Sequence, residues 1–269
     1  MKIGFLGVGA IAEAMIIGLC TAGKFEGEVI LSPRSVSRSN ALASRFANVE
    51  VASTNQELVD RCDLLFLAVL PDQFQACMSE LDFRSEMKLV SLVAGFSVGE
   101  IAELASPATS VWRIIPLPPV EHGLGAIPLY PRDAEIEKLL SSIGDVVHIK
   151  DEKEFLAFTT ASSMMATFFE FASSVASWME SRGVGREQAA VYSSSTFQAL
   201  ARLAGDAPPE SFHELADECL TAGGLNEQVL FELRDAGWFG QIDNRLDRIA
   251  ARLEKWAEEM ARAKEAGRE

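Results

Sequence analysis

The chain has 269 residues, 48% of them hydrophobic and 23% charged, and a formal net charge of −15. That length fits one large domain or two ordinary ones, and the composition excludes a disordered chain. Both halves are acidic, which argues against a nucleic-acid binder and an anionic membrane surface but allows a small anion that needs only a few local donors.

Lys2 to Leu6 is a short apolar run of the kind a buried parallel strand requires. Gly7-Val8-Gly9 follows, then a helical stretch from Ala10 to Ala22 that Gly23 stops. Glu28 to Leu31 reads as a second strand, and Thr54 and Glu57 have capping-box spacing before a helix carrying Leu58 and Val59. Further strands are predicted over Leu64 to Val69, Leu89 to Val93, Val111 to Ile115 and Asp145 to Ile149, the first three ended by Pro71, Gly95 and Pro116. Strands separated by helical segments predict an α/β fold, with a doubly wound, mostly parallel sheet in an N-terminal domain over 1–150.

Beyond residue 150 no strand is expected. Lys153 to Ser181 reads as one long, mostly apolar helix, which suggests burial on several sides, another subunit among the candidates to cover it. Arg186 to Leu203 is a second helix, broken by Pro208-Pro209. Ser211 and Glu214 have capping-box spacing for a third, Gly223-Gly224 interrupts again, and a last helix runs from Gln241 until it frays near Ala263. Residues 151–269 therefore form an all-helical domain. No apolar stretch is expected to reach the roughly 18 residues of a membrane span. The first residues enter a strand directly, so no secretory signal is expected. Cys20, Cys62, Cys77 and Cys219 form no CxxC pair and read as free, buried thiols of a cytoplasmic protein. His122, His148 and His213 are too scattered for a metal site.

Gly7-x-Gly9-x-x-Ala12 stands between the first strand and the first helix, where glycines have a mechanical role. Gly7 permits a tight turn, Gly9 lets the backbone approach a pyrophosphate, and Ala12 lets helix and strand pack closely. The first helical residues, Ala10 and Ile11, then present their N–H groups to the anion. Where an NAD enzyme places Asp or Glu after the second strand, this chain has Ser32-Pro33-Arg34-Ser35, with Arg38 nearby. Hydroxyls and cations there suit the 2′-phosphate of NADP.

These residues are similar to those of the pyrroline-5-carboxylate reductases. The resemblance runs through the opening KIGFLGVGAIAEAM, Ser32-Pro33-Arg34, Ala68-Val69-Leu70-Pro71, Ser91 to Gly95, Arg113 to Pro116 and Ala222-Gly223-Gly224. It implies an NADP-binding Rossmann domain, with Ala68 to Pro71 at the cofactor, and a helical domain that forms a homodimer. A cyclic imine would be reduced near the subunit interface. By the same resemblance, Ser163, Thr221 and Asn226 fall at catalytic and substrate positions. The substrate half departs from the family pattern. Leu70 stands for a lysine and Leu117 for an asparagine. Thr221 replaces the serine that helps hold a substrate carboxylate. Asn226 replaces the threonine that donates to the imine nitrogen. The family's glycines and proline are absent around Ser163, so the long helix is expected to run unbroken, with Met164, Met165 and Phe168 lending an apolar character to the pocket. Glu227 or Gln228 could orient an amine, and His122 could serve as a general acid.

A 3-hydroxyacid-type dehydrogenase shares the domain plan, but it needs a mid-helix lysine, and the helical half has only Lys153, Lys255 and Lys264 near its ends. A dimeric NADP(H)-binding protein with little catalysis is the third alternative.

Overall fold

The computed structural model describes residues 1–206 and 212–266, with side chains through Arg262. The chain divides into two compact units, residues 1–159 together with the segment from Glu254, and residues 160–253.

The first unit is built on eight strands: β1 (Ile3–Leu6), β2 (Val29–Leu31), β3 (Val49–Val51), β4 (Leu64–Leu67), β5 (Lys88–Ser91), β6 (Ser110–Ile114), β7 (Ala126–Tyr130) and β8 (Asp145–His148). They form one sheet in the order β3-β2-β1-β4-β5-β6-β7-β8, parallel except where β7 runs against β6. Six helices connect them: α1 (Ala10–Cys20), α2 (Val36–Arg45), α3 (Asn55–Arg61), α4 (Pro71–Ser79), α5 (Val98–Leu104) and α6 (Ala134–Leu140). The doubly wound α/β reading therefore holds. The strand order reverses between β1 and β4, which opens a crevice beyond the carboxyl ends of those two strands.

Alternation along the strands divides the core. Ile3, Phe5, Leu64 and Phe66 face one buried cluster with α1, while Leu6, Leu65 and Leu67 face the other with α3 and α4. Both faces are covered, which is why β1 and β4 read as continuous apolar runs. Phe5 and Phe66 stack at 4.7 Å across neighbouring strands. Gly18 lets the turn at Pro118–His122 lie directly on α1. A Cβ there would meet the Val120 carbonyl oxygen at 2.1 Å.

Two strands escaped the sequence reading. β3 has only three residues, and β7 contains Pro128, which ordinarily argues against a central strand. The predicted box at Thr54 is half made. The Thr54 side chain accepts from the Glu57 N–H, but Glu57 turns back to the Ser53 N–H at 2.8 Å.

Of the four cysteines, only Cys62 is buried; Cys20 and Cys77 are half-buried and Cys219 is exposed, a correction to the expectation of buried thiols. Burial pushes the Cys62 thiol up to about 12. The unfolded chain releases this proton near the ordinary value of 9.0 while the folded chain keeps it, so stability falls as pH rises above 9.0. Native Cys62 should resist a thiol reagent at pH 8 until the protein is denatured, and the alkaline loss of stability should flatten in Cys62→Ala. Labelling of Cys62 in the native state at the rate of a free thiol would contradict this.

The described residues beyond 150 contain no strand. The helices are α7 (Phe155–Ser162), α8 (Met165–Ser181), α9 (Arg186–Asp206), α10 (Phe212–Glu218), α11 (Leu225–Asp235) and α12 (Trp238–Ala266). The helix expected over Lys153 to Ser181 is broken at Ser163–Met164. The Ser163 and Met164 N–H groups donate to Thr160 and Ala161, three residues back, and this tightened turn ends α7 without glycine or proline. α8 has no buried residue, and Phe168, Phe169 and Trp178 stand exposed on it. Within residues 152–181 an 18-residue window is also apolar enough to cross a membrane by length and composition, at a mean hydropathy of 1.2. That corrects the earlier expectation, because scattered serines and threonines interrupt the apolar run without lowering its average enough. α12 starts three residues before Gln241. Within the first unit its Trp256 ring covers Gly95, where a Cβ would come within 3.1 Å. Pro208, Pro209 and Ser211, together with the end of the fraying segment, lie outside the described residues.

Candidate functional site

The crevice between β1 and β4 is a cleft of about 420 Å³. Among the expected cofactor residues, Gly7, Gly9, Ser32, Arg34, Ala68, Val69 and Leu70 line it. Ala10, Ile11, Ala12 and Pro71 are not among its lining residues. Ala12 is fully buried under the turn, and Pro71 is the first residue of α4.

The turn is fixed by sterics and one hydrogen bond. Gly7 has φ +93°, and a Cβ would lie 2.7 Å from the Ala68 carbonyl oxygen. The Gly7 N–H donates to Ser32 Oγ at 2.9 Å, and the Ser39 hydroxyl in turn donates to the Ser32 carbonyl. Ser32 is buried, so its position ties the end of β2 to the glycine turn. Gly9 has open space where a Cβ would stand. The α1 ladder begins with the Glu13 N–H to the Gly9 carbonyl, so the N–H groups of Ala10, Ile11 and Ala12 precede it.

The two cations differ. Arg38 forms an ion pair with Glu13 at 3.1 Å, whereas Arg34 forms none among the described residues. Arg34 lines the same cleft as Cys77, whose thiol burial holds above its ordinary value while Arg34 pulls it down. Sequence reasoning missed Asn55. It opens α3 and lines the cleft, and its buried Oδ1 has no hydrogen-bond partner. Its only sequence signal was the helix start at Thr54.

In the other unit, Thr221 and Asn226 flank the Gly223-Gly224 turn that opens α11. Asn226 Nδ2 donates to the Cys219 carbonyl at 3.0 Å, the Gly224 N–H donates to Thr221 O, and the Gly223 N–H donates to Glu227 Oε2 at 2.6 Å. Gln228 Nε2 donates to the Gly223 carbonyl at 3.1 Å. Glu227 and Gln228, expected to face an amine, are thus bonded to their own loop. Ser163 is exposed on the α7–α8 break and takes no part in those bonds. His122 lies beside the C-terminal end of α1: the neighbouring Gly123 has its Cβ position 2.9 Å from Ala22 Cβ. That is the far end of α1 from Gly9, which removes the argument for His122 as a general acid.

Residues 2–95 match the family "NADP oxidoreductase coenzyme F420-dependent", and residues 152–256 match "Pyrroline-5-carboxylate reductase dimerisation". The pyrroline-5-carboxylate reductase of Pseudomonas aeruginosa is 26% identical over 96% of this chain and 98% of its own. The solved 1-pyrroline-5-carboxylate reductase of Streptococcus pyogenes is 26% identical, covers 95% of this chain and 98% of its own, and superposes with a TM-score of 0.80. A Plasmodium falciparum pyrroline carboxylate reductase solved with NADP bound has the same fold at 20% identity and a TM-score of 0.78, over 96% of this chain and 98% of its own.

Proposed function

Because the chain belongs to the pyrroline-5-carboxylate reductase family over nearly its full length, we propose that it is an NADPH-dependent reductase of a C=N bond, acting on pyrroline-5-carboxylate or a related imine. The observation that carries the cofactor half is the cleft at the strand-order reversal, with a glycine turn that a side chain would block and a cation, Arg34, that forms no ion pair among the described residues. Residues 1–150 hold the cofactor, and residues 151–269 provide the substrate loop and the dimer contact.

The cleft fits NADP. Open space at Gly9 and the leading N–H groups of α1 suit the pyrophosphate. Arg34, Ser35 and the unpartnered Asn55 Oδ1 suit the ribose and its 2′-phosphate. The Ser32 hydroxyl holds the glycine turn, and Arg38 is engaged by Glu13, so Arg34 is the principal phosphate cation. Ala68, Val69 and Leu70 form the apolar wall, where Leu70 cannot supply the charge of a lysine. The bound cofactor supplies a hydride, and the chain's work is to hold the acceptor carbon against it. Thr221, Asn226 and Ser163 are the groups assigned to that acceptor. The exposed apolar face of α8 is then covered by a second copy of the chain.

Removing a charge-assisted contact to phosphate costs roughly 1.5–3 kcal/mol, and 1.4 kcal/mol is a factor of ten. Arg34→Ala should therefore raise KM for NADPH about ten- to a hundredfold and leave KM for NADH nearly unchanged, measured by steady-state oxidation. Equal losses with both cofactors would remove Arg34 from the 2′-phosphate.

The decisive test is NADPH oxidation by the purified chain with pyrroline-5-carboxylate, repeated with NADH. Turnover that favours NADPH is the expected result. NADPH binding without turnover on this or any other cyclic imine would leave the chain a binding protein.

A further inference from the structure

Resting on the reductase reading, we propose that the Thr221–Gln228 loop selects a C=N substrate that arrives protonated at nitrogen and bears no carboxylate beside the imine. Glu227 sets that choice.

The loop's bonds carry the argument. Gly223 stands at φ +71°, and both of its backbone groups are taken by the chain's own side chains. Its N–H goes to the Glu227 carboxylate and its carbonyl accepts from Gln228. A substrate carboxylate seeking the Gly223 N–H would have to displace a carboxylate already bound there. The α11 ladder begins with the Gln228 N–H to Gly224 O, so the N–H groups of Leu225, Asn226 and Glu227 also precede it. Glu227 lies in that same first turn, and its negative charge answers the positive end of the helix from within. From Asp217 to Gln228 the sequence holds Asp217, Glu218 and Glu227 and neither lysine nor arginine. Within this stretch a second negative charge meets like charges and no cation.

Asn226 completes the selection. Its Nδ2 gives one of its two hydrogens to the Cys219 carbonyl, which leaves Oδ1 and a single N–H. An amide oxygen accepts and does not donate. A neutral imine nitrogen offers only a lone pair, which Oδ1 cannot meet, and has the one remaining Nδ2 hydrogen as its sole partner on this side chain. A protonated iminium offers N–H and a positive charge, which suits both Oδ1 and the acidic loop.

The chemistry then balances without a proton donor in the protein. Hydride from NADPH forms the new C–H bond, the C=N π electrons pass to nitrogen, and nitrogen keeps its proton. The iminium becomes a neutral amine, and the nicotinamide is oxidised.

The test compares 1-pyrroline with pyrroline-5-carboxylate as substrates of the full chain with NADPH. The unsubstituted imine should show kcat/KM at least about tenfold higher, the scale of one lost or gained charge contact. Glu227→Gln, which keeps an acceptor for Gly223, should narrow that ratio by about tenfold, through KM of the carboxylate substrate rather than kcat. Glu227→Asp, which keeps the charge, should retain most of the preference. A merely structural role would lower both substrates together. A second readout needs no turnover: pyrrolidine should compete with bound substrate better than proline does. Turnover that favours the carboxylate-bearing imine, or a ratio unmoved by Glu227→Gln, would overturn the proposal and leave the reductase reading standing. No turnover of either imine by the NADPH-bound protein would overturn both.

Discussion

Gly7→Ala should weaken NADPH binding at least about a hundredfold and lower stability as well, whereas Gly9→Ala should weaken binding alone. The two glycines stand two residues apart, yet they meet different surroundings. At Gly7 the backbone is left-handed and a Cβ would press on the Ala68 carbonyl at 2.7 Å and its carbon at 2.9 Å. The left-handed conformation alone costs a non-glycine residue roughly 1–2 kcal/mol. The contact is with backbone at the end of β4, so relief requires moving the cleft wall or turning Gly7 away from Ser32 Oγ. At Gly9 φ is −81° and nothing lies within 4 Å of the Cβ position. A methyl group there costs the folded chain little, but it occupies the space through which a pyrophosphate reaches the α1 N–H groups. Thermal unfolding and NADPH titration of both variants separate the effects. If Gly9→Ala binds NADPH as tightly as the parent, the pyrophosphate does not approach at that turn, and the cofactor placement is wrong.

The cleft was legible in sequence because its signals are local. A strand buried on both faces reads as an apolar run, and glycines two apart followed by alanine describe one turn. The absence of an acid after β2 was equally readable. What depended on neighbours distant in sequence was not. Arg34 and Arg38 looked equivalent until Glu13, on another helix, was seen to hold Arg38. Ser32 looked like a phosphate ligand until its hydroxyl was found under Gly7. Asn55 reaches the cleft only because β3 pairs beside β2, and three residues of β3 leave almost no alternation to read. In the helical half the difficulty was different. The break at Ser163–Met164 is made by backbone bonds three residues long, in a sequence without a breaker. Asn226, Glu227 and Gln228 open α11 after Gly223-Gly224, but no pattern tells that their side chains fold back on Cys219 and Gly223.

The second large effect lies outside the cleft, where β6 meets the chain that leads into α7. Arg113 Nη1 and Glu152 Oε1 are 2.5 Å apart, with side chains only 14% and 20% exposed. The same carboxylate oxygen accepts from the Val98 N–H that opens α5, and the guanidinium lies 4.5 Å from the centre of the Phe155 ring. One ion pair thus ties a strand, a helix start and the exit toward the helical unit. Removing either partner leaves a largely buried charge behind, a loss of roughly 3 kcal/mol or more. For a chain of this size that is a fall in Tm of about 6–12 °C. Glu152→Ala should be the worse single change, because it strands both the cation and the Val98 N–H, whereas Arg113→Ala leaves the carboxylate one donor. Glu152→Gln, still an acceptor, should fall between them. The double variant Arg113→Ala/Glu152→Ala should lose less than the sum of the singles, since neither buried charge remains to be penalised. Strict additivity would mean that the two side chains are not coupled. Neither residue touches the cleft, so each variant, assayed below its own Tm, should bind NADPH with the parent affinity. A lost affinity instead would mean that the tie at Val98 holds the cleft in shape as well as the fold.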